Sequence, residues 1–125
     1  MWEEGDREVS SYPDWSFGVK LKISLLVIRC KDIDVSKNFY ELLGLSFVKE
    51  KHGKGPEHYS CGHDGCVFEL YPNKGEAPKD NNRLGFTVLD ASKTITQLNV
   101  IDTYEYNDKT IYVAIDPDGR KIEIQ

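Results

Sequence analysis

The feature that most constrains this chain is that its sequence reads as one unit written twice. Val27-Ile28-Arg29-Cys30-Lys31-Asp32 and Gly85-Phe86-Thr87-Val88-Leu89-Asp90 each read as a strand closed by an aspartate that precedes a helical pattern. Val67-Phe68-Glu69-Leu70 and Lys121-Ile122-Glu123-Ile124 each end their half with a strand holding a glutamate between apolar residues. Corresponding features in the same order favour duplication of one supersecondary unit over ordinary alternation, and duplication commits both halves to one topology.

The local signals fill in that unit. Branched apolar residues predict a buried strand over 22–30. Asp34 or Ser36 is expected to cap a helix running to Leu43, with Val35, Phe39, Leu42 and Leu43 at helical spacing and Gly44 where a closing glycine belongs. Strands are expected at 46–51, 58–61 and 66–71, the last two joined by Gly62-His63-Asp64-Gly65. Residues 72–82, rich in Lys, Gly, Pro and Asn, read as a linker. The pattern then restarts: a strand over 83–89, a helix capped by Asp90 or Ser92 and reaching Leu98, and a hairpin of 100–107 with 110–115. The turn Asp116-Pro117-Asp118-Gly119 leads to a last strand over 121–125. The expected class is α+β, with module one at 21–73 and module two at 83–125. Residues 1–20, acidic and aperiodic, read as an N-terminal extension whose Trp2 and Trp15 imply that part of it packs on something.

Composition narrows the partners. A chain of 125 residues, 39% hydrophobic, makes one domain able to bury a core without staples. A net charge of −5 argues against non-specific nucleic-acid binding, which needs a basic footprint. No apolar run approaches the ~20 residues of a membrane span, so no membrane partner is expected. The N-terminus lacks the basic and apolar regions of a secretory signal. Three cysteines, Cys30, Cys61 and Cys66, are too few for a disulfide framework. A cytoplasmic, reducing setting is the expectation.

Side-chain parity divides the strands into two faces. Leu26, Ile28 and Cys30, then Phe68 and Leu70, Leu84, Phe86 and Val88, and Ile122 and Ile124 form an apolar set suited to packing under the helices. Leu25, Val27, Arg29, Val67, Glu69, Tyr71, Arg83, Glu123 and their neighbours form a mixed set, as a ligand-lined surface tends to be. His52-Gly53-Lys54-Gly55-Pro56-Glu57-His58-Tyr59 joins the second and third strands and brings two imidazoles into a defined turn. His58, Cys61, His63 and Cys66 offer zinc-type donors, but their spacing matches no common zinc motif and parity separates His58 from Cys61. Cys61 and Cys66 are alternatively expected to face each other across the hairpin.

The chain resembles the vicinal oxygen chelate superfamily of glyoxalase I, bleomycin-resistance proteins and extradiol dioxygenases. The residues that carry the resemblance are Val27 to Asp32, Ser36-Lys37-Asn38-Phe39-Tyr40-Glu41-Leu42-Leu43-Gly44-Leu45, Phe68 to Tyr71, Leu84 to Val88, and Asp116-Pro117-Asp118-Gly119-Arg120-Lys121-Ile122-Glu123-Ile124. The resemblance implies two βαβββ modules, each a mixed sheet curled into a half-open cup, facing each other around a pocket, often across a homodimer. In enzymatic members a metal takes one side chain from the first and last strands of each module. Carried over, those positions are Leu25, Glu69, Arg83 and Glu123. Leucine has no lone pair and arginine is a fixed cation, so two of the four cannot ligate. No resident metal is therefore expected, with Glu69 and Glu123 the ligands of a divalent ion should one bind, and Arg83 can pair with a glutamate instead.

The expected function is metal-free binding of a small molecule by a homodimer similar to the bleomycin-resistance branch. Arg29, His52, His58, Glu69, Tyr71, Arg83 and Glu123 would be the ligand-binding residues. The alternative is a lyase, isomerase or dioxygenase-like enzyme in which Glu69 and Glu123 act as bases and His58 assists. A partner-binding structural module is the third possibility.

Overall fold

The computed structural model describes residues 21–125; the expected extension at 1–20 lies outside the described residues. Module one contains β1 (Leu25–Cys30), α1 (Ile33–Glu41), β2 (Val48–Glu50), β3 (His58–His63) and β4 (Cys66–Pro72). Module two contains β5 (Arg83–Phe86), α2 (Ala91–Thr94), β6 (Val100–Tyr106), β7 (Lys109–Ile115) and β8 (Lys121–Ile124). The sheet orders are β1-β4-β3-β2 and β5-β8-β7-β6. In each sheet the first strand pairs parallel with the last, and the other pairings are antiparallel. The duplication in the sequence is thus a duplication of topology.

The turns follow from residue chemistry. Asp64 and Gly65 have φ of 53° and 80°, and Asn107 and Asp108 have 53° and 61°. Two-residue hairpins with both φ positive match the twist of the strands they join, and Asn, Asp and Gly tolerate that conformation best. The first hairpin is tighter than expected, because β3 runs on to His63 while β4 begins at Cys66 as expected.

Two helix expectations need correction. The cap of α1 is Asp32, not Asp34 or Ser36: its carboxylate accepts from the backbone N–H groups of Asp34 at 2.9 Å and Val35 at 3.2 Å. Asp34 instead accepts the Tyr59 hydroxyl at 2.6 Å, and Ser36 is buried inside the helix. An aspartate two residues before the first of the two expected candidates satisfies the same orphan donors. The second helix is capped by Asp90 as expected, but it is only one α-helical turn continued by a 3-10 turn at Ile95–Gln97. Thr94, Ile95 and Thr96 are β-branched and favour helix poorly, which suits so short an element.

Apart from Leu26, which is exposed, the apolar parity set lies in or against a single core. Ile28, Cys30, Phe68, Leu70, Ile122 and Ile124 are buried, joined by Phe47, Tyr59, Cys61 and Ala114. Tyr40 of α1 crosses between modules. Its ring lies edge-on to Phe68 at 5.3 Å and tilted against Phe86 of β5 at 6.0 Å. Its hydroxyl donates to Asp116 at 2.6 Å. Burial, then the Asp116 carboxylate, pushes that hydroxyl far above the usual tyrosine range, so it remains a donor.

The Asp116–Gly119 turn fastens module two to module one. Asp116 also accepts the Arg120 guanidinium at 3.1 Å and the backbone N–H groups of Asp118 and Arg120. Arg120 donates twice to Asp80 of the linker and once to the Arg29 carbonyl. Asp118 accepts the Lys31 N–H at 3.1 Å and the Ser36 hydroxyl at 3.4 Å.

All three cysteines are free. Cys61 is buried and sits opposite Phe68, whereas Cys66 pairs with His63 and is half-buried. The expected face-to-face arrangement of Cys61 and Cys66 is therefore absent. Burial pushes the Cys30 thiol up to about 11. Since the thiolate is the reactive form, a chromogenic thiol reagent at pH 7.5 is expected to titrate Cys66 alone in the native protein and all three after denaturation. Prompt native reaction of Cys30 would contradict the core described above.

Candidate functional site

The site residues are placed by strand parity and register. Leu25, Val27 and Arg29 project from the face of β1 opposite the core and are exposed, Leu25 to 56%. Val27 sits beside Glu69 and Arg29 beside Tyr71 across the parallel β1–β4 pair. Ser60 lies opposite Glu69 on β3, so His58, two residues away, faces the same way. Glu50 on β2 is directly opposite His58. Register alone therefore gathers Arg29, Glu50, His58, Glu69 and Tyr71 on one sheet face.

Contacts tighten this group. The His58 imidazole stacks on Tyr71 with centroids 4.2 Å apart and planes 11° from parallel. The Arg29 guanidinium lies over the Tyr71 ring at 5.0 Å, and His52 lies 5.2 Å from His58. His58 Nδ1 is 3.2 Å from the Pro56 carbonyl, while Nε2 faces Glu50 at 3.4 Å and Glu69 at 3.6 Å. Glu50 was missed by sequence reasoning. The signal that finds it is its place directly across the hairpin from His58.

In module two, Arg83 donates to Glu123 Oε2 at 3.1 Å, and the Tyr104 hydroxyl donates to Glu123 Oε1 at 2.7 Å. The Tyr104 bond to Glu123 was not foreseen from the sequence. The expected site residues thus fall in two groups, Arg29, His52, His58, Glu69 and Tyr71 in module one, and Arg83 and Glu123 in module two. The zinc-type set does not converge: Cys61 turns into the core, and His63 is exposed at the hairpin end.

A separate cleft of about 550 Å³ runs between the modules on the core side. Leu26, Leu43, Phe68, Phe86, Val88 and Leu89 are among its walls. The expectation that Leu26 simply packs under a helix missed it, because parity assigns a face but not the gap between two sheets.

Residues 22–124 match the model of the Glyoxalase/Bleomycin resistance protein/Dioxygenase superfamily. The chain belongs to this superfamily. Its fold is that of a glyoxalase/dioxygenase from Nostoc punctiforme, with 21% identity, a TM-score of 0.64, and 82% of this chain and 88% of that one covered. It is also that of a lactoylglutathione lyase from Agrobacterium tumefaciens, with 15% identity, a TM-score of 0.61, and coverage of 82% and 91%. An integron cassette protein from the mobile metagenome of V. cholerae matches at 22% identity and a TM-score of 0.60, over 83% and 93% of the two chains. No curated protein matches the chain significantly.

Of the four positions that the resemblance carries over as a metal site, Leu25 presents only carbon and Arg83 a permanent cation. Glu123 is engaged by Arg83 and Tyr104. These residues do not fit a metal centre shared by the four positions. No helix among the described residues is long and apolar enough to cross a membrane.

Proposed function

We propose that this superfamily member binds a small molecule in the cup between paired modules, as a homodimer, with no metal at the four superfamily positions. The observation that carries the reading is the Arg83–Glu123 ion pair, closed by Tyr104, at two of those positions. A guanidinium held there by a carboxylate supplies fixed positive charge where an enzymatic member would hold its ion.

The wall of module one supports a ligand of mixed character. Leu25, Val27 and Val67 form an exposed apolar strip, bordered by Arg29, Glu69 and Tyr71. Apolar surface with a few converging polar groups is the usual lining of a small-molecule site. An apolar strip on an open sheet face is also what a second copy would cover. Three free thiols suit a reducing, cytoplasmic setting.

A planar aromatic sulfonate dye, 1-anilinonaphthalene-8-sulfonate, tests this reading. The wild type is expected to sediment as a dimer and to bind the dye saturably while still unfolding cooperatively. Val27→Glu is expected to abolish binding and Leu89→Glu, at the mouth of the 550 Å³ cleft, to leave it intact. The reverse pattern would move the ligand to the cleft, and a monomer without saturable binding would refute the proposal.

A further inference from the structure

The geometry points to a divalent transition-metal site, of the zinc type, built from Glu50, His52, His58 and Glu69 on module one. It is distinct from the superfamily's four positions and shares only Glu69 with them. It does not rest on the ligand-binding reading above.

His58 is 1% exposed, and its Nε2 is a buried side-chain nitrogen without a hydrogen-bond partner among the described residues. A buried polar atom left unsatisfied is costly and calls for a partner. What lies in front of it is two carboxylates, Glu50 Oε1 at 3.4 Å and Glu69 Oε2 at 3.6 Å. Both distances are longer than a charge-assisted hydrogen bond of ~2.7–2.9 Å.

The other ring nitrogen determines what Nε2 can offer. Nδ1 lies 3.2 Å from the Pro56 carbonyl, which only accepts, so Nδ1 carries the hydrogen. In the neutral ring Nε2 then presents a bare lone pair to two anionic oxygens. A cation placed between this nitrogen and the two oxygens would satisfy all three acceptors. Holding one imidazole nitrogen on a backbone carbonyl is also the usual way proteins orient a metal-ligating histidine. Stacking on Tyr71 fixes the plane of the ring.

The fourth donor is His52. Its Nε2 is 3.7 Å from Glu50 Oε1, and the donor atoms of Glu50, His52 and His58 all lie within 4.8 Å of one another. Ligands ~2.0–2.1 Å from a tetrahedral zinc stand ~3.3–3.4 Å apart. Three of the separations, 3.4 and 3.6 Å from His58 to Glu50 and Glu69 and 3.7 Å from His52 to Glu50, are close to that edge length, and His52, exposed, can move to bring the donors together.

The β2–β3 loop delivers His52 to this place. Gly53 has φ of 57°, and the Gly55 N–H donates to the His52 carbonyl at 2.9 Å, closing a tight turn. A side chain at Gly55 would meet the His52 carbonyl at 3.1 Å. The glycines thus serve the turn that holds one imidazole over the other. Two imidazoles and two carboxylates suit a borderline first-row ion better than magnesium or calcium, which take oxygen donors.

The test uses the full chain, purified without an affinity metal and stripped with chelator. Calorimetric titration with ZnCl2 is expected to show one ion per chain, and Zn²⁺ is expected to raise the unfolding temperature. Co²⁺ in its place should give the visible absorption of a low-symmetry nitrogen–oxygen site. His52→Ala, at an exposed position that leaves the fold intact, is expected to weaken Zn²⁺ binding at least ~10-fold, as loss of a ligand should. Glu50→Gln should do the same, and His63→Ala should not. Loss of binding in Glu123→Gln with His52→Ala unaffected would place the ion at the superfamily positions and overturn the inference. Undiminished binding in both His52→Ala and Glu50→Gln, or no binding to the wild type, would also overturn it.

Discussion

Replacing Arg120 by methionine is expected to destabilise the protein by about 3–5 kcal/mol, the usual cost of removing one partner from a buried ion pair. The Arg120 side chain is 1% exposed and that of Asp116 is fully buried. Methionine fills a similar volume but leaves the Asp116 carboxylate facing Tyr40 without its guanidinium. It also removes the two bonds to Asp80 and the one to the Arg29 carbonyl, which hold the linker and β1 to module two. Urea unfolding followed by circular dichroism measures the loss. Tyr40→Phe is the graded comparison: Asp116 keeps Arg120 and two backbone donors, so the cost should be only about 0.5–1.5 kcal/mol for the bond itself, rising toward 3 for a charged acceptor. A loss under about 1 kcal/mol for Arg120→Met would mean that the turn does not fasten the two modules.

The second large effect is expected at Phe68. Phe68→Ala should cost about 3–5 kcal/mol, as truncation of a buried aromatic does. Phe68 is in contact with three aromatic rings: Tyr40 at 5.3 Å, Phe47 at 5.9 Å and Phe86 at 6.1 Å. Those rings come from α1, from the segment before β2 and from β5, so the truncation loosens both modules at once. Phe68→Leu, which keeps most of the volume, should cost less than half as much. Tyr40 touches both Phe68 and the Asp116–Arg120 pair, so the double variant Phe68→Ala/Arg120→Met should depart from additivity by at least about 0.5 kcal/mol. Strict additivity would show that the aromatic cluster and the buried ion pair stabilise the chain separately.

Much of the fold was legible because it rests on short-range periodicity. Alternation along Leu25–Cys30, Val67–Tyr71 and Lys121–Ile124 assigned the faces, and burial of Ile28, Leu70, Ile122 and Ile124 follows that assignment. The aspartates, the asparagine and the glycine of Asp64-Gly65 and Asn107-Asp108 marked the hairpins for a local reason, since positive φ favours those residue types. Where several residues were locally equivalent, the sequence misled: Asp34 or Ser36 was expected to cap α1, and Asp32, equally able to do so, caps it. The choice fell to Asp32 because Tyr59, twenty-five positions away, takes the Asp34 carboxylate and Ser36 is drawn into the buried face.

The candidate site was legible in its residue types and not in its partnerships. Leu25 and Arg83 at superfamily metal positions could be read as non-ligating from chemistry alone, since neither offers a lone pair. That Arg83 reaches Glu123, and that Tyr104 takes the other oxygen, depends on side-chain reach across strands forty and nineteen positions apart. His52 and His58 were visible as a pair in a turn. Glu50 acquired meaning only when the β2–β3 register set it opposite His58.

The sequence by itself determined the duplicated βαβββ topology, the two faces of each sheet and the non-ligating chemistry of Leu25 and Arg83. Each of these is a property of residue type and local period. Only the tertiary structure decided that the Asp116–Gly119 turn and Arg120 lock module two onto β1 and α1, and that an orphaned His58 nitrogen faces two carboxylates. Those facts depend on ångström-scale distances between residues remote in the chain, which strand register and the packing of one shared core set together.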